Sequence, residues 1–229
     1  MIVTAPKPFE ALVASFDALQ AETLFLVGCG TCAASVGTGG EPALAAAAAE
    51  FERRGFRVAG STVPESGCSI PGTRATLRAH GSAVGSADAV VVFACGTGVQ
   101  TVAEIVDQPV IPALDSQFLG NSSRIGIYAE KCRTCGDCVL DRTAGICPLT
   151  QCPKGLLNGP CGGMDNGLCE VVPGLECAHV RIGRKLAAQG RPKGSPLVTK
   201  NYDRDMHPGA ANFRAPRRGT APSPSPAEN

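Results

Sequence analysis

Tryptophan is absent from the chain, and only two tyrosines and eight phenylalanines occur in it. So few flat rings leave little surface on which nucleic-acid bases could stack. A balance of 21 basic against 20 acidic residues leaves no positive field to draw a phosphate backbone. No nucleic acid is expected as a partner. Long apolar runs are missing too. Nothing approaches the roughly 18 residues that a membrane span needs, and the longest small-apolar run, 43–49, is mostly alanine. The first ten residues, MIVTAPKPFE, lack a basic start followed by an apolar stretch, so no leader is read there and a cytoplasmic location is expected. Histidine is scarce: His80, His179 and His207 are the three. No Ser-His-Asp set, Walker loop or paired-carboxylate site stands out, and no residue is assigned as catalytic.

Cysteine, by contrast, is plentiful at twelve residues. Seven fall between 131 and 176 (Cys132, Cys135, Cys138, Cys147, Cys152, Cys161 and Cys169), and Cys177 follows at once. Glycine, proline and short polar residues separate them, so this stretch has little with which to fill a core. In a reducing compartment, dense cysteines without a leader read as metal ligands rather than disulfides. A disulfide scaffold is the competing reading, and the apolar segments between 24 and 115 make it unnecessary.

Those segments alternate. Leu24–Val27 (LFLV) and Ala89–Phe93 (AVVVF) are continuous apolar runs of the kind buried on both faces of a parallel sheet. Residues 56–63 are a third strand candidate, and 110–114 a fourth, confined to an edge by Pro112. Helices are predicted over 42–54, 73–81 and 99–106, and an amphipathic packing helix within 1–23 carries Phe9, Leu12, Val13, Phe16 and Leu19. The expected organisation has four parts. They are that amino-terminal helix, a small doubly wound α/β domain over 24–125, a cysteine-rich, ferredoxin-like irregular domain over 126–189 with an exit helix at 177–189, and an extended tail over 190–229. The tail has seven prolines, with seven basic and three acidic residues, and suits partner docking or disorder. Tyr202, Met206 and Phe213 are its candidate anchors.

Three of the predicted strands run into cysteine: Cys29 and Cys32 after the first, Cys68 after the second, Cys95 after the third. Ligands of open α/β sheets bind outside the carboxyl ends of the strands. These four thiols could therefore share one [4Fe–4S] cluster or one zinc. Two other readings compete there. Gly28-Cys29-Gly30-Thr31-Cys32-Ala33 also fits the G-x-G-x-x-A dinucleotide fingerprint, although the expected acidic residue, near Glu50 or Glu52, falls inside a helix and Glu65 comes late. The four cysteines could also be plain buried thiols.

Downstream, Cys132-x2-Cys135-x2-Cys138 is the strongest single signal, because three thiolates at that spacing wrap one cluster. Cys147-Pro148 and Cys152-Pro153 resemble the ligand–proline pair that follows such triplets. Four cysteines before residue 100 and eight after 130 make three sets of four. A split of the eight into the triplet with one distant cysteine, and the other four together, is open as to which cysteine joins the triplet. His179, beside Cys177, is a ligand candidate or a plain helix-start residue.

Cys152–Gly163, CPKGLLNGPCGG, followed by GLCEV at 167–171 and by Cys177-Ala178-His179, resembles the methylenetetrahydrofolate reductase C-terminal domain family, and the likeness extends over about residues 24–189. The family includes small iron–sulfur or zinc subunits that accompany a flavin-bearing reductase. The resemblance implies an accessory role: two to three [4Fe–4S] clusters, one site being open to zinc, that pass electrons to the FMN of a (β/α)8 catalytic partner. It implies metal ligation by Cys132, Cys135, Cys138, Cys147, Cys152, Cys161, Cys169 and Cys177, and by Cys29, Cys32, Cys68 and Cys95. The alternative it leaves is a structural zinc subunit with no redox role.

Overall fold

The structure, a computed structural model, describes residues 1–191. Of the tail, 192–229, with Tyr202, Met206 and Phe213, lies outside the described residues. The polypeptide divides into two compact units. The first is residues 1–133 with 149–153; the second takes 134–148 and the chain from 154 onward.

In chain order the elements are β1 (Ile2–Pro6), α1 (Phe9–Leu19), β2 (Thr23–Val27), α2 (Cys32–Val36), α3 (Glu41–Arg53), β3 (Arg57–Thr62), α4 (Ile70–Ala79), α5 (Gly81–Gly85), β4 (Ala89–Val92), α6 (Gly96–Ala103), β5 (Val110–Pro112), β6 (Leu114–Arg124), β7 (Ile127–Cys132), α7 (Pro148–Gln151) and α8 (Ala178–Ala188).

The first unit contains a four-stranded parallel sheet in the order β3-β2-β4-β5. Every residue of β2 and of β4 is buried, as their unbroken apolar sequences require of strands covered on both faces. Pro112 stands on the edge strand, opposite Val92, where its missing N–H costs no ladder bond. Phe16, fully buried, packs edge-on against Phe51 (centroids 5.3 Å apart) and Phe56 (5.1 Å), pinning α1 to α3 and to the entry of β3.

A second sheet, antiparallel and ordered β1-β6-β7, was not foreseen. Ahead of the anticipated packing helix, the amino terminus is a strand whose Ile2 pairs with Leu119. β6 and β7 form a hairpin closed by Ile125-Gly126, with Gly126 at φ +79° and Ile125 fully exposed. Cys132 thereby ends a strand of the first unit. α2 was also missed. α4 begins at Ile70 rather than Thr73, with Pro71 in its first turn supplying a start signal that was overlooked.

The start of β2 is tied to the turn before β4 by one carboxylate. Asp88 Oδ2 accepts the backbone N–H groups of Thr23 (2.7 Å) and Glu22 (3.0 Å). These bonds hold its pKa below the ordinary 3.8. Folding thus favours the ionised form. The contribution is complete above the unfolded value and is lost as pH falls through the folded one. Asp88→Asn is expected to lower Tm by a constant amount between about pH 5 and 8, and the gap from wild type should close below about pH 4. A pH-independent gap would show that the charge plays no part.

Among its described residues the second unit has little core: a cluster of Ala144, Ile182 and Leu186, with Ile146 half-buried against it. α8 is its longest helix, and Ile182 and Leu186 are the apolar positions anticipated for it. Among the described residues no helix is long and apolar enough to cross a membrane.

Candidate metal centre

All strands of the parallel sheet point one way, so their carboxyl ends share an edge. From β2 the chain crosses to β3 on one side and returns to β4 on the other. The gap between the ends of β2 and β4 is therefore the topological switch point. Cys29 lies two residues past β2, Cys95 three past β4, and Cys68 in the loop that follows β3. Cys32 opens α2 and Cys95 immediately precedes α6. The anticipated placement of cysteines at neighbouring strand ends is what the fold has.

Close backbone packing holds these loops together. Gly28 N–H donates to Thr62 O (2.8 Å), Cys29 N–H to Gly39 O (2.8 Å) and Gly30 N–H to Pro64 O (3.0 Å). A Cβ on Gly98 would lie 3.7 Å from the Gly67 carbonyl, so α6 approaches the loop that carries Cys68. Gly39 sits against Phe93 O so tightly that any side chain there would collide with backbone.

These contacts also account for the G-x-G fingerprint without a nucleotide. The side of Gly30 that must stay bare for a pyrophosphate faces Glu65 O, 3.0 Å from where a Cβ would stand, and Pro64 O at 3.3 Å. Gly28 faces Gly39 O in the same way. Glu50 is occupied by ion pairs to Arg53 and Arg54.

Cys29 is buried, at 5% exposure; Cys32 and Cys95 are half-buried, and Cys68 is exposed. Burial pushes the Cys29 thiol up. The Thr31 hydroxyl at 3.3 Å, together with the N–H groups of Gly67, Thr31 and Ala33, more than offsets this and leaves its pKa below the usual thiol value. Gly67 N–H donates to the Cys29 sulfur at 3.4 Å, and Ser66 Oγ lies 3.4 Å from the Cys68 sulfur. Thr31 and Gly67 were missed as site residues. The hydroxyl between the two cysteines of Cys29-Gly30-Thr31-Cys32 was the available signal.

The carboxyl-terminal cysteines are shared between the units. Cys132 ends β7, and Cys152 follows α7 in the 149–153 segment of the same unit. Gln151 Nε2 donates to Glu130 O (2.8 Å) and Thr150 Oγ1 to Lys131 O (3.2 Å), which lays the backbone of Cys152 beside that of Cys132. Cys135, Cys138, Cys147, Cys161, Cys169 and Cys177 belong to the second unit.

Three of those six are stitched by hydrogen bonds that main-chain N–H groups donate. Met164 N–H donates to Cys161 O (3.1 Å), and Gly167 N–H to the Met164 sulfur (3.2 Å). Cys177 N–H donates to Gly167 O (2.8 Å), and Cys169 N–H to Leu175 O (2.8 Å). The carboxylate of Glu170 accepts from the Cys161 thiol (3.5 Å) and pairs with Lys154; neither residue was singled out beforehand. The His179 Nε2 is 3.0 Å from Leu156 O, and the ring lies where a Cβ on Gly159 would stand. Burial sets this imidazole below its ordinary pKa, against the hydrogen bond to Leu156. One of the two ring nitrogens is thus engaged in holding the loop before Cys161.

No disulfide joins any of the twelve cysteines. Among the described residues, no group of three or more His, Cys, Asp or Glu side chains is arranged to hold a metal ion. What the fold supplies is adjoining backbone that carries soft sulfur donors, a donor chemistry that fits zinc or iron–sulfur clusters.

No curated protein and no solved structure matches the chain. A family model does match: residues 111–204, which include all eight carboxyl-terminal cysteines, fit the family described as methylene-tetrahydrofolate reductase C terminal.

Proposed function

We propose that the chain is the iron–sulfur accessory subunit of a two-component methylenetetrahydrofolate reductase. In this reading it works in the cytoplasm beside a (β/α)8 catalytic partner and delivers electrons to the FMN that the partner binds. The observation that carries it is a second unit with six thiols, a buried apolar cluster of three residues and a match to this family. Such a segment gains order from metal–sulfur bonds where a core is lacking.

Bound [4Fe–4S] clusters would supply one-electron transfer. The chain's own residues hold them and set their surroundings. Cys132, Cys135 and Cys138 are one set together with one distant cysteine, and the remaining four of the eight are the other set. Cys29, Cys32, Cys68 and Cys95 form the third set at the switch point. Hydrogen bonds to ligating sulfur tune reduction potential, so Thr31 and Gly67 act on the site through Cys29.

A second reading, a structural zinc subunit without redox chemistry, is favoured by one feature. Glu170 brings a hard carboxylate oxygen to Cys161, and zinc accepts mixed sulfur and oxygen ligands. Iron, sulfide and zinc analysis of anaerobically purified chain separates the two. Roughly four iron and four sulfide per occupied site are expected. Zinc without sulfide, in a colourless protein, would overturn the electron-transfer reading and leave the structural one.

A further inference from the structure

We propose that Cys29 and Cys32 are also a thiol–disulfide exchange pair, reached by a disulfide substrate through the recess beside Cys32. The inference goes beyond the metal reading and does not depend on it.

The two thiols form a C-x2-C between a buried parallel strand, β2, and a helix that Cys32 itself begins. That is the arrangement in which paired thiols carry out redox exchange. They differ in the way such chemistry needs. Cys29 is buried, and its sulfur is held by the Thr31 hydroxyl at 3.3 Å and the Gly67 N–H at 3.4 Å. Cys32 is half-exposed and lines a recess of about 670 Å³. Met1, Ile125 and Tyr128 give that recess apolar walls, and Ser35 and Ser122 add hydroxyls. Among the described residues no acidic or basic side chain lines it. Tyr128 is fixed there by donating to Ser35 O at 3.0 Å. The outer thiol is therefore placed to meet a substrate, and the inner one to resolve the product.

Exchange runs in two steps. The Cys32 thiolate attacks one sulfur of the substrate disulfide, forming a mixed disulfide as the substrate S–S bond breaks and the first thiolate leaves. The Cys29 sulfur then attacks the Cys32 sulfur, closing the Cys29–Cys32 bond and expelling the second thiolate. Two electrons pass from the chain to the substrate. The two protons lost by Cys29 and Cys32 end on the two thiols released. A closed Cys29–Cys32 bond withdraws both sulfurs from metal binding, so bound metal and disulfide exclude each other at this pair.

The test uses the full chain, freed of metal under anaerobic conditions, in glutathione buffers of graded oxidised-to-reduced ratio. Alkylation and peptide mass spectrometry report each cysteine. A Cys29–Cys32 disulfide is expected to form in a single two-electron transition. Cys29→Ser should instead accumulate glutathione on Cys32, at least tenfold faster than on the exposed Cys68. Cys32→Ser should leave Cys29 unmodified over the same interval. No Cys29–Cys32 disulfide at any ratio, or glutathione on Cys68 ahead of Cys32, would overturn the proposal. A parallel run with metal-loaded chain bears on the other reading. Protection of the pair supports ligation by these sulfurs, and equal oxidation counts against ligation while leaving the exchange pair in place.

Discussion

Metal-free chain is expected to keep its parallel sheet and to lose the ordered structure of 161–177. The reason lies in what each unit can bury. β2 and β4 are fully enclosed, with Phe16, Phe25 and Phe51 among the side chains that fill the first unit. Among its described residues the second unit buries Val139, Ile182 and Leu186 as its large aliphatic side chains. Three such side chains contribute about 4–9 kcal/mol gross. Ordering each residue of backbone costs about 1–2 kcal/mol, so even a short loop outweighs them. Ligation of structural zinc in small domains contributes about 10–16 kcal/mol, enough to reverse the balance.

Hydrogen exchange reads the result. Amides of Cys169 and Cys177, bonded to Leu175 O and Gly167 O, should lose at least about 100-fold of their protection when metal is removed, a change of roughly 2.7 kcal/mol. Amides of β2 and β4 should change little. Replacing Cys161 with Ser should reproduce the loss with metal present. Equal protection of 161–177 in metal-free and loaded chain would show that the segment holds itself together.

The second large effect falls on the other unit. Phe16→Ala is expected to destabilise the first unit by about 3–5 kcal/mol, seen as a Tm lower by roughly 10 °C. Phe16 has no exposed surface and touches two other rings edge-on, so truncation opens a cavity between α1, α3 and β3. Phe51→Ala removes the same contact from its other side. The double variant should therefore cost less than the sum of the two. A Phe16→Ala loss under about 0.5 kcal/mol would mean that α1 is not part of the core.

The parallel sheet was legible because its strands announce themselves locally. LFLV and AVVVF need no partner to be recognised, and Pro112 marks its own strand as an edge. The antiparallel sheet was not legible. β1 gains its strand character from β6, more than a hundred residues away, and MIVTAP alone carries no period. β6 is mostly half-buried or exposed and polar, so no alternation marks it. At the site, cysteine type and spacing were readable from residues alone. The donors that act on Cys29 were not, since Gly67 reaches it across 38 positions and only the fold brings them together. The G-x-G pattern has a packing explanation of its own. Its glycines serve the mutual packing of loops at the switch point, which demands the same bare Cα as a pyrophosphate would.

Electron delivery to the flavin tests the central proposal most directly. Anaerobically reduced chain, freed of excess reductant, is mixed with oxidised FMN-bearing methylenetetrahydrofolate reductase subunit, and flavin absorbance is followed. The account predicts flavin bleaching in proportion to the chain added, abolished when the chain is first stripped of metal. Flavin that stays oxidised with metal-loaded chain, or bleaches equally with stripped chain, would contradict it.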